Sequence, residues 1–342
     1  MGRSFSDGVD PSGAFSECNS DRSGELIPAA NSVAAHHRLL ISCDVEYSDD
    51  VVHGLISDLE SPSVPIESQR HAAMVLRLLA KHKSENRLKM ARAGAIRPLV
   101  ALLSHHDPQL QEHGVTAILN LSLCDENKDP IAAAGAIRPL ILALKTGTPA
   151  ARENAACALI RLSKVEEHKI AIGRAGAIPH LVDLLETGGL RGKKDASTAL
   201  FLLCSARENK IRAVNEGIVR PLLELMADPG SGMVDKAAYV LNSVVEVAEG
   251  RAAAVEEAAI PVLVEMVELG SRRQKEKATS TLLQICEESV TYRTMVSREG
   301  AIPPLVALSQ SGTTQPEQVE ALIEMLRRPR AAEGGEGRQW RG

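Results

Sequence analysis

An eight-residue phrase, Ala93-Gly94-Ala95-Ile96-Arg97-Pro98-Leu99-Val100, returns along this chain at a nearly constant interval. It recurs as Ala134-Gly135-Ala136-Ile137-Arg138-Pro139-Leu140-Ile141 and as Ala175-Gly176-Ala177-Ile178-Pro179-His180-Leu181-Val182. Weaker copies begin at Glu216 and Ala258, and a clear one closes the series at Glu299-Gly300-Ala301-Ile302-Pro303-Pro304-Leu305-Val306. The equivalent positions Gly94, Gly135, Gly176, Gly217, Ala258 and Gly300 are 41, 41, 41, 41 and 42 residues apart. A fixed period of this size specifies a stack of like units, because each supersecondary unit buries its apolar face only against its neighbours.

The phrase has a direct physical reading. Glycine takes positive φ without a Cβ clash, so it ends one helix in a sharp turn. The proline that follows suits the first turn of the next helix, where its missing N–H has no intrahelical role. Eight residues before the glycine position stand Asn86, Asn127, His168, Asn209, Gly250 and Tyr292, each opening a short segment. Downstream, Ala155, Ala158, Leu159 and Leu162 fall at i, i+3, i+4 and i+7, the spacing of an amphipathic helix. Each unit is therefore predicted to be a short, a medium and a long helix. The fold class that follows is all-α: a right-handed α-solenoid of about seven repeats, of the armadillo/HEAT size class.

Composition fits such a stack. Apolar residues make up 44% of the 342, yet aromatics only 2%, so the core must be built from Ala, Leu, Val and Ile. A net charge of −5 gives no overall basicity for nucleic acid. The six cysteines are scattered without a C-x-x-C pair and read as reduced, buried thiols. No apolar run reaches the ~18 residues of a membrane span, and the N-terminus shows no signal-peptide core. A cytoplasmic or nuclear protein, monomeric and without membrane insertion, is expected.

Residues 1–45, rich in Ser, Gly, Asp and Asn, are expected to be disordered. The solenoid is predicted over 46–330, opening with an incomplete unit: a middle helix through Val51, Val52, Leu55, Ile56 and Leu59, then a long helix over Ala72–Ala80. It closes with a helix after Pro316 whose outer side is strongly polar, as an end repeat requires. A disordered tail over 331–342 is expected.

Several phrases resemble the armadillo repeats of the plant U-box/armadillo proteins, a family of ubiquitin ligases and their relatives. They are Asn120-Leu121-Ser122-Leu123 with Glu126-Asn127-Lys128, Arg191-Gly192-Lys193-Lys194-Asp195-Ala196, Gly232-Met233-Val234-Asp235-Lys236-Ala237, and Pro304-Leu305-Val306-Ala307-Leu308-Ser309-Gln310-Ser311-Gly312-Thr313. The resemblance covers about 280 residues. It implies a repeat region that binds substrates or regulators, beside a separate U-box that recruits the ubiquitin-conjugating enzyme. No stretch here is similar to the Cys-Pro-Ile core of a U-box, and the family's Arg-Ala-Lys final helix is replaced by the acidic run after Pro316. Ubiquitin transfer by these residues is not expected, and neither a catalytic site nor a cofactor is.

Isolated chemical motifs give way to the repeat. His36-His37 and His105-His106 lack a third ligand at metal-site spacing, so no metal is expected. Gly188-Gly189-Leu190-Arg191-Gly192-Lys193-Lys194 lacks the G-x-x-x-x-G-K-[ST] order and aligns with the turn Thr146-Gly147-Thr148-Pro149 one unit earlier. Arg272-Arg273-Gln274-Lys275-Glu276-Lys277 reads as a solvated helix start, with no aromatic residues for base stacking.

The remaining candidate is the surface made by stacked long helices, expected to line a concave groove. Three ladders at the repeat period are assigned to it: His113, Asn154, Asp195, Lys236, Lys277; Thr116, Cys157, Thr198, Tyr239, Ser280; and Asn120, Arg161, Leu202, Ser243, Gln284. Importin-α-type armadillo proteins carry a Trp ladder beside an Asn ladder. The Trp positions here hold Thr116, Cys157, Thr198, Tyr239 and Ser280, so reception of nuclear-import signals is not expected. A β-catenin-like groove would be strongly basic, whereas this one is mixed and turns basic toward Lys236 and Lys277. The expected partner is a protein, an extended or helical segment with an acidic end, contacting Asn120, Asn154, Arg161, Lys236, Tyr239, Lys277 and Gln284. The expected function is a non-catalytic scaffold or adaptor in ubiquitin-linked or other signalling of a plant-like cell. The alternative is the substrate-binding part of a U-box ligase whose catalytic domain lies elsewhere.

Overall fold

The computed structural model describes residues 49–327. The expectations for 1–45 and 331–342 lie outside that range. Among the described residues there are twenty α-helices and no strand. The chain divides into two compact units, 1–180 and 181–342, with the division inside the helix Ala177–Thr187.

The first unit opens with α1 (Asp49–Glu60) and α2 (Ile66–His82), the incomplete pair expected from the sequence. A full repeat follows in α3 (Ser84–Arg92), α4 (Ile96–Leu102) and α5 (Pro108–Leu121). The next contains a 3-10 turn at Asp125–Asn127, then α6 (Lys128–Ala133), α7 (Ile137–Thr146) and α8 (Pro149–Leu162), and α9 (Glu166–Arg174) begins another. The long third helices α2, α5 and α8 pack side by side.

The second unit takes over within α10 (Ala177–Thr187) and continues with α11 (Leu190–Leu203). Then come α12 (Arg207–Asn215), α13 (Val219–Met226) and α14 (Val234–Val244), and α15 (Ala248–Glu256), α16 (Ala259–Leu269) and α17 (Arg272–Cys286). It ends with α18 (Val290–Arg298), α19 (Ile302–Gln310) and α20 (Pro316–Arg327). Here α11, α14, α17 and α20 form the row of third helices. The core between the layers is almost wholly Leu, Ile, Val and Ala, which pack closely where there are few rings to fill the space.

At four junctions a side chain at the repeat period joins the end of a long helix to the next short one. Asn127 Nδ2 donates to the Leu121 carbonyl at 3.0 Å, and Asn209 Nδ2 to the Leu203 carbonyl at 3.0 Å. Asn86 does the same to Leu79 at 3.3 Å, and the His168 ring meets the Leu162 carbonyl at 3.2 Å. These bonds satisfy carbonyls that the helix end leaves without an intrahelical partner. Gly250 occupies the same register, but there the backbone comes so close that a Cβ would lie 2.1 Å from the Val244 carbonyl oxygen.

At the phrase itself, Gly94, Gly135, Gly176, Gly217 and Gly300 all have positive φ, as the sequence required. Ala258, at the same place in the α15–α16 turn, holds φ 58°, the only non-glycine with positive φ among the described residues. Since the glycines of this series have open space where a Cβ would go, the penalty at this turn is one of backbone conformation. Ala258→Gly is therefore expected to stabilise the protein by about 1 kcal/mol. An unchanged or lower melting temperature would contradict this.

Candidate functional site

The third helices are placed by their N-termini. In the first unit Asp107 caps α5, its carboxylate accepting the Leu110 N–H at 2.9 Å. The same carboxylate receives Arg70 of α2, with Nε–Oδ1 at 3.2 Å and a terminal nitrogen–Oδ2 at 2.5 Å. The Arg70 guanidinium, helped by the Leu110 N–H, holds the Asp107 carboxyl down to about 2. Thr148 caps α8 through the Ala151 N–H and gives its hydroxyl to Glu112 of α5 at 2.6 Å. In the second unit Ser271 and Gln274 form a reciprocal capping box on α17, and Gln274 also donates to Asp235 of α14 at 2.7 Å. At α5, α8 and α17 the residues that start the helix thus also fasten it to the preceding third helix.

The three ladders continue this fastening, which corrects the expectation that Asn120, Asn154, Arg161 and Tyr239 stand open to solvent. Asn154 Nδ2 donates to Thr116 Oγ1 at 2.9 Å, and Lys236 Nζ to Thr198 Oγ1 at 3.4 Å. Lys277 Nζ lies 4.4 Å from the centroid of the Tyr239 ring and donates to Asn242 Oδ1 at 3.3 Å. The Asn154–Thr116, Lys236–Thr198 and Lys277–Tyr239 contacts each join the first ladder to the second ladder one repeat earlier. In the third ladder, Asn120 Nδ2 donates to the Arg77 carbonyl at 3.1 Å and the Ser243 hydroxyl to the Cys204 carbonyl at 3.4 Å. Asn120, Asn154, Arg161 and Tyr239 are buried, with Tyr239 only 5% exposed. Neighbouring third helices pack closely enough to cover them. Arg161, near the end of α8, also helps Lys128 and Lys164 hold the exposed Asp125 carboxyl below the usual carboxylate range, Lys128 through a hydrogen bond most strongly.

Lys236, Lys277 and Gln284 remain half-buried on the face. Among the described residues the Gln284 amide oxygen is buried without a hydrogen-bond partner, as is that of Gln318, which continues the first ladder onto α20.

Sequence reasoning missed Arg273. Its run read as a solvated helix start, and Arg272 is indeed exposed, but Arg273 turns onto α14. Its guanidinium carbon lies 5.1 Å from the Tyr239 ring centroid, and its Nε donates to the Tyr239 hydroxyl at 3.0 Å. The available signal was position: Arg273 is 34 residues after Tyr239, four before the Lys277 that the ladder named. Burial and the neighbouring Arg273 charge push the Lys277 ammonium below its ordinary pKa.

His105 and His106 stack at 4.3 Å, and the His105 Nδ1 accepts the Asp107 N–H at 3.0 Å. No group of three His, Cys, Asp or Glu among the described residues is arranged to hold a metal, and no helix there is long and apolar enough to cross a membrane. Burial pushes the Cys204 and Cys286 thiols up to about 12.

Stacked three-helix units whose long helices pack in rows define an armadillo-repeat α-solenoid scaffold. Solved structures agree on the fold. An engineered protein superposes with a TM-score of 0.60 at 26% identity, over 69% of this chain and 96% of that one. Computationally designed armadillo repeat proteins for modular peptide recognition give 0.62 at 23% identity, over 68% and 99%.

Residues 51–330 match the family described as the plant U-box protein ARM repeat region, and the chain belongs to that family. Among its relatives, U-box domain-containing protein 13 of Arabidopsis thaliana is 58% identical over 59 residues, which are 17% of this chain and 9% of the relative. E3 ubiquitin-protein ligase SPL11 of Oryza sativa subsp. japonica is 51% identical over 75 residues, 22% and 10% of the two chains. U-box domain-containing protein 4 of Arabidopsis thaliana is 48% identical over 113 residues, 33% and 13%. The matched stretches span about a tenth of the length of these curated relatives.

Proposed function

We propose that this chain is a non-catalytic protein-binding scaffold that holds an extended or helical segment of a partner across its third helices. The observation that carries this reading is the half-buried polar face of the third helices, where Lys236 of α14 lies beside Lys277 and Gln284 of α17. Lys236 and Lys277 contact the partner from the same face. Asn120, Asn154, Arg161 and Tyr239 act from beneath, by fixing the spacing of the helices. A designed armadillo repeat protein of the same fold was solved in complex with the peptide (KR)4, which supports peptide binding by this fold.

The pathway suggested by family membership is ubiquitin-linked or other signalling, in the cytoplasm or nucleus, with the protein working as a monomer. Membership also favours a second reading, the substrate-binding part of a U-box ligase whose catalytic domain lies elsewhere. A nucleophilic cysteine needs a low thiol pKa, and burial works against that at Cys204 and Cys286. The purified chain, given E1, a panel of E2 enzymes and ATP, is expected to form no ubiquitin chains. Robust autoubiquitination would favour the ligase reading.

Binding is tested by selecting a phage-displayed dodecapeptide library on the purified chain. A photo-crosslinking residue at Ser280 is expected to capture the selected peptides, and one at the exposed Arg220 to capture none. Capture from Arg220 alone, or no selected peptide, overturns the reading.

A further inference from the structure

We propose that Arg273 and Lys277, held against Tyr239 in the second unit, form a socket for an anionic side chain, carboxylate or phosphate, of the bound peptide. The inference rests on the scaffold reading above and specifies the partner's chemistry.

The argument begins with how cations are treated elsewhere in the protein. Arg70 pairs with Asp107, Lys210 with Glu246, and Arg251 with Glu288, each across two successive repeats. Arg273 and Lys277 also reach across a repeat, yet they meet a neutral ring, a phenol oxygen and an amide oxygen. Among the described residues no carboxylate pairs with either of them.

The nearby acids are engaged. Asp235 accepts from Gln274 at 2.7 Å. Glu276 accepts from the Thr313 hydroxyl at 3.0 Å and the Thr314 N–H at 2.7 Å, and pairs with Arg272. Glu246 is paired with Lys210.

The socket is also built in advance. Tyr239 is nearly buried and fixes both cations through its π face, and its hydroxyl takes the Arg273 Nε. This leaves both terminal guanidinium nitrogens of Arg273 without an acceptor among the described residues, in the fork that matches an oxyanion. Two like charges side by side, one largely removed from water, are each stabilised by an anion placed between them. Lys236 stands one repeat earlier in the same register. A basic peptide would be repelled here.

The test uses the full chain and three fluorescein-labelled probes: octaglutamate, an alternating phosphoserine–alanine octapeptide, and (Lys-Arg)4. Anisotropy is expected to show binding of at least one acidic probe, weakening with salt, and none of (Lys-Arg)4. Whichever acidic probe binds more tightly identifies the anion. The double variant Arg273→Gln/Lys277→Gln should weaken acidic-probe binding about tenfold or more, as loss of charge-assisted contacts requires. The double variant Arg212→Gln/Arg220→Gln removes the same charge from α12 and α13 and should change binding less than about twofold. Equal loss in both variants, or no acidic-probe binding by the wild type, overturns the socket. If library-selected peptides still cross-link from Ser280 in the Arg273/Lys277 variant at undiminished affinity, the socket fails and the scaffold reading stands. If no peptide cross-links from Ser280 in the wild type, the scaffold reading itself fails.

Discussion

Tyr239→Ala is expected to destabilise the second unit by about 3 kcal/mol, the range for truncating a buried aromatic. The ring is 5% exposed, lies between α14 and α17, and carries two cations on its face. Truncation removes the packing and leaves Arg273 and Lys277 with no surface to rest on. Tyr239→Phe keeps the ring and loses only the hydroxyl bond to Arg273, so it should cost about 1 kcal/mol. Because stability in a repeat array is carried by neighbour contacts, hydrogen exchange should rise most in α14 and α17. A Tyr239→Ala protein with unchanged melting temperature and exchange would mean that the side chain faces solvent, as its place in the ladder first suggested.

The second large effect is expected on acidification. His113 on α5 has its Nδ1 buried without a hydrogen-bond partner, and burial first, then the Arg77 charge, push its pKa from 6.5 down to about 4. Asp107 opposes the shift and Arg70 adds to it. Above pH 6.5 the imidazole is neutral in both folded and unfolded chains, so its contribution is fully present. Between 6.5 and about 4 the unfolded chain takes up a proton that the folded one refuses. Stability therefore falls with pH across that window, by at most about 3 kcal/mol from this group. His105, also lowered by burial, adds in the same direction. Asp107 acts with the usual carboxylate sign at lower pH: its contribution is present above the ordinary Asp value and is lost as pH falls toward about 2. The two windows are thus separable. Denaturant titrations at pH 7 and pH 4.5 should show a smaller difference for His113→Gln than for the wild type. An equal difference in the two proteins would remove His113 as the cause.

The repeat period and the identity of its turn residues are enough to decide the architecture. Period, helix starts and helix ends are local: a glycine at positive φ, a proline in a first turn and an i, i+3, i+4 stripe act within a few residues. Gly94, Gly135, Gly176, Gly217 and Gly300 accordingly do what their sequence context demanded. Local chemistry did not reveal Ala258, which is forced into a glycine conformation by the same turn.

The candidate site was legible only as a register. Stepping by the period found Lys236, Tyr239, Lys277 and Gln284, but it could not say how deeply each side chain would lie. Burial depends on how closely α11, α14, α17 and α20 approach each other, a sum over many packed Ala, Leu and Val residues. For the same reason Asn120 and Asn154 became ties between helices, and Arg273, one turn before a ladder position, turned inward onto Tyr239. The sequence by itself determined a stack of three-helix units and the residues that share a register along it. Only the tertiary structure decided which of them hold the stack together and which stay partly exposed on its face, because that choice is made by contacts some 35 to 40 residues apart in the chain.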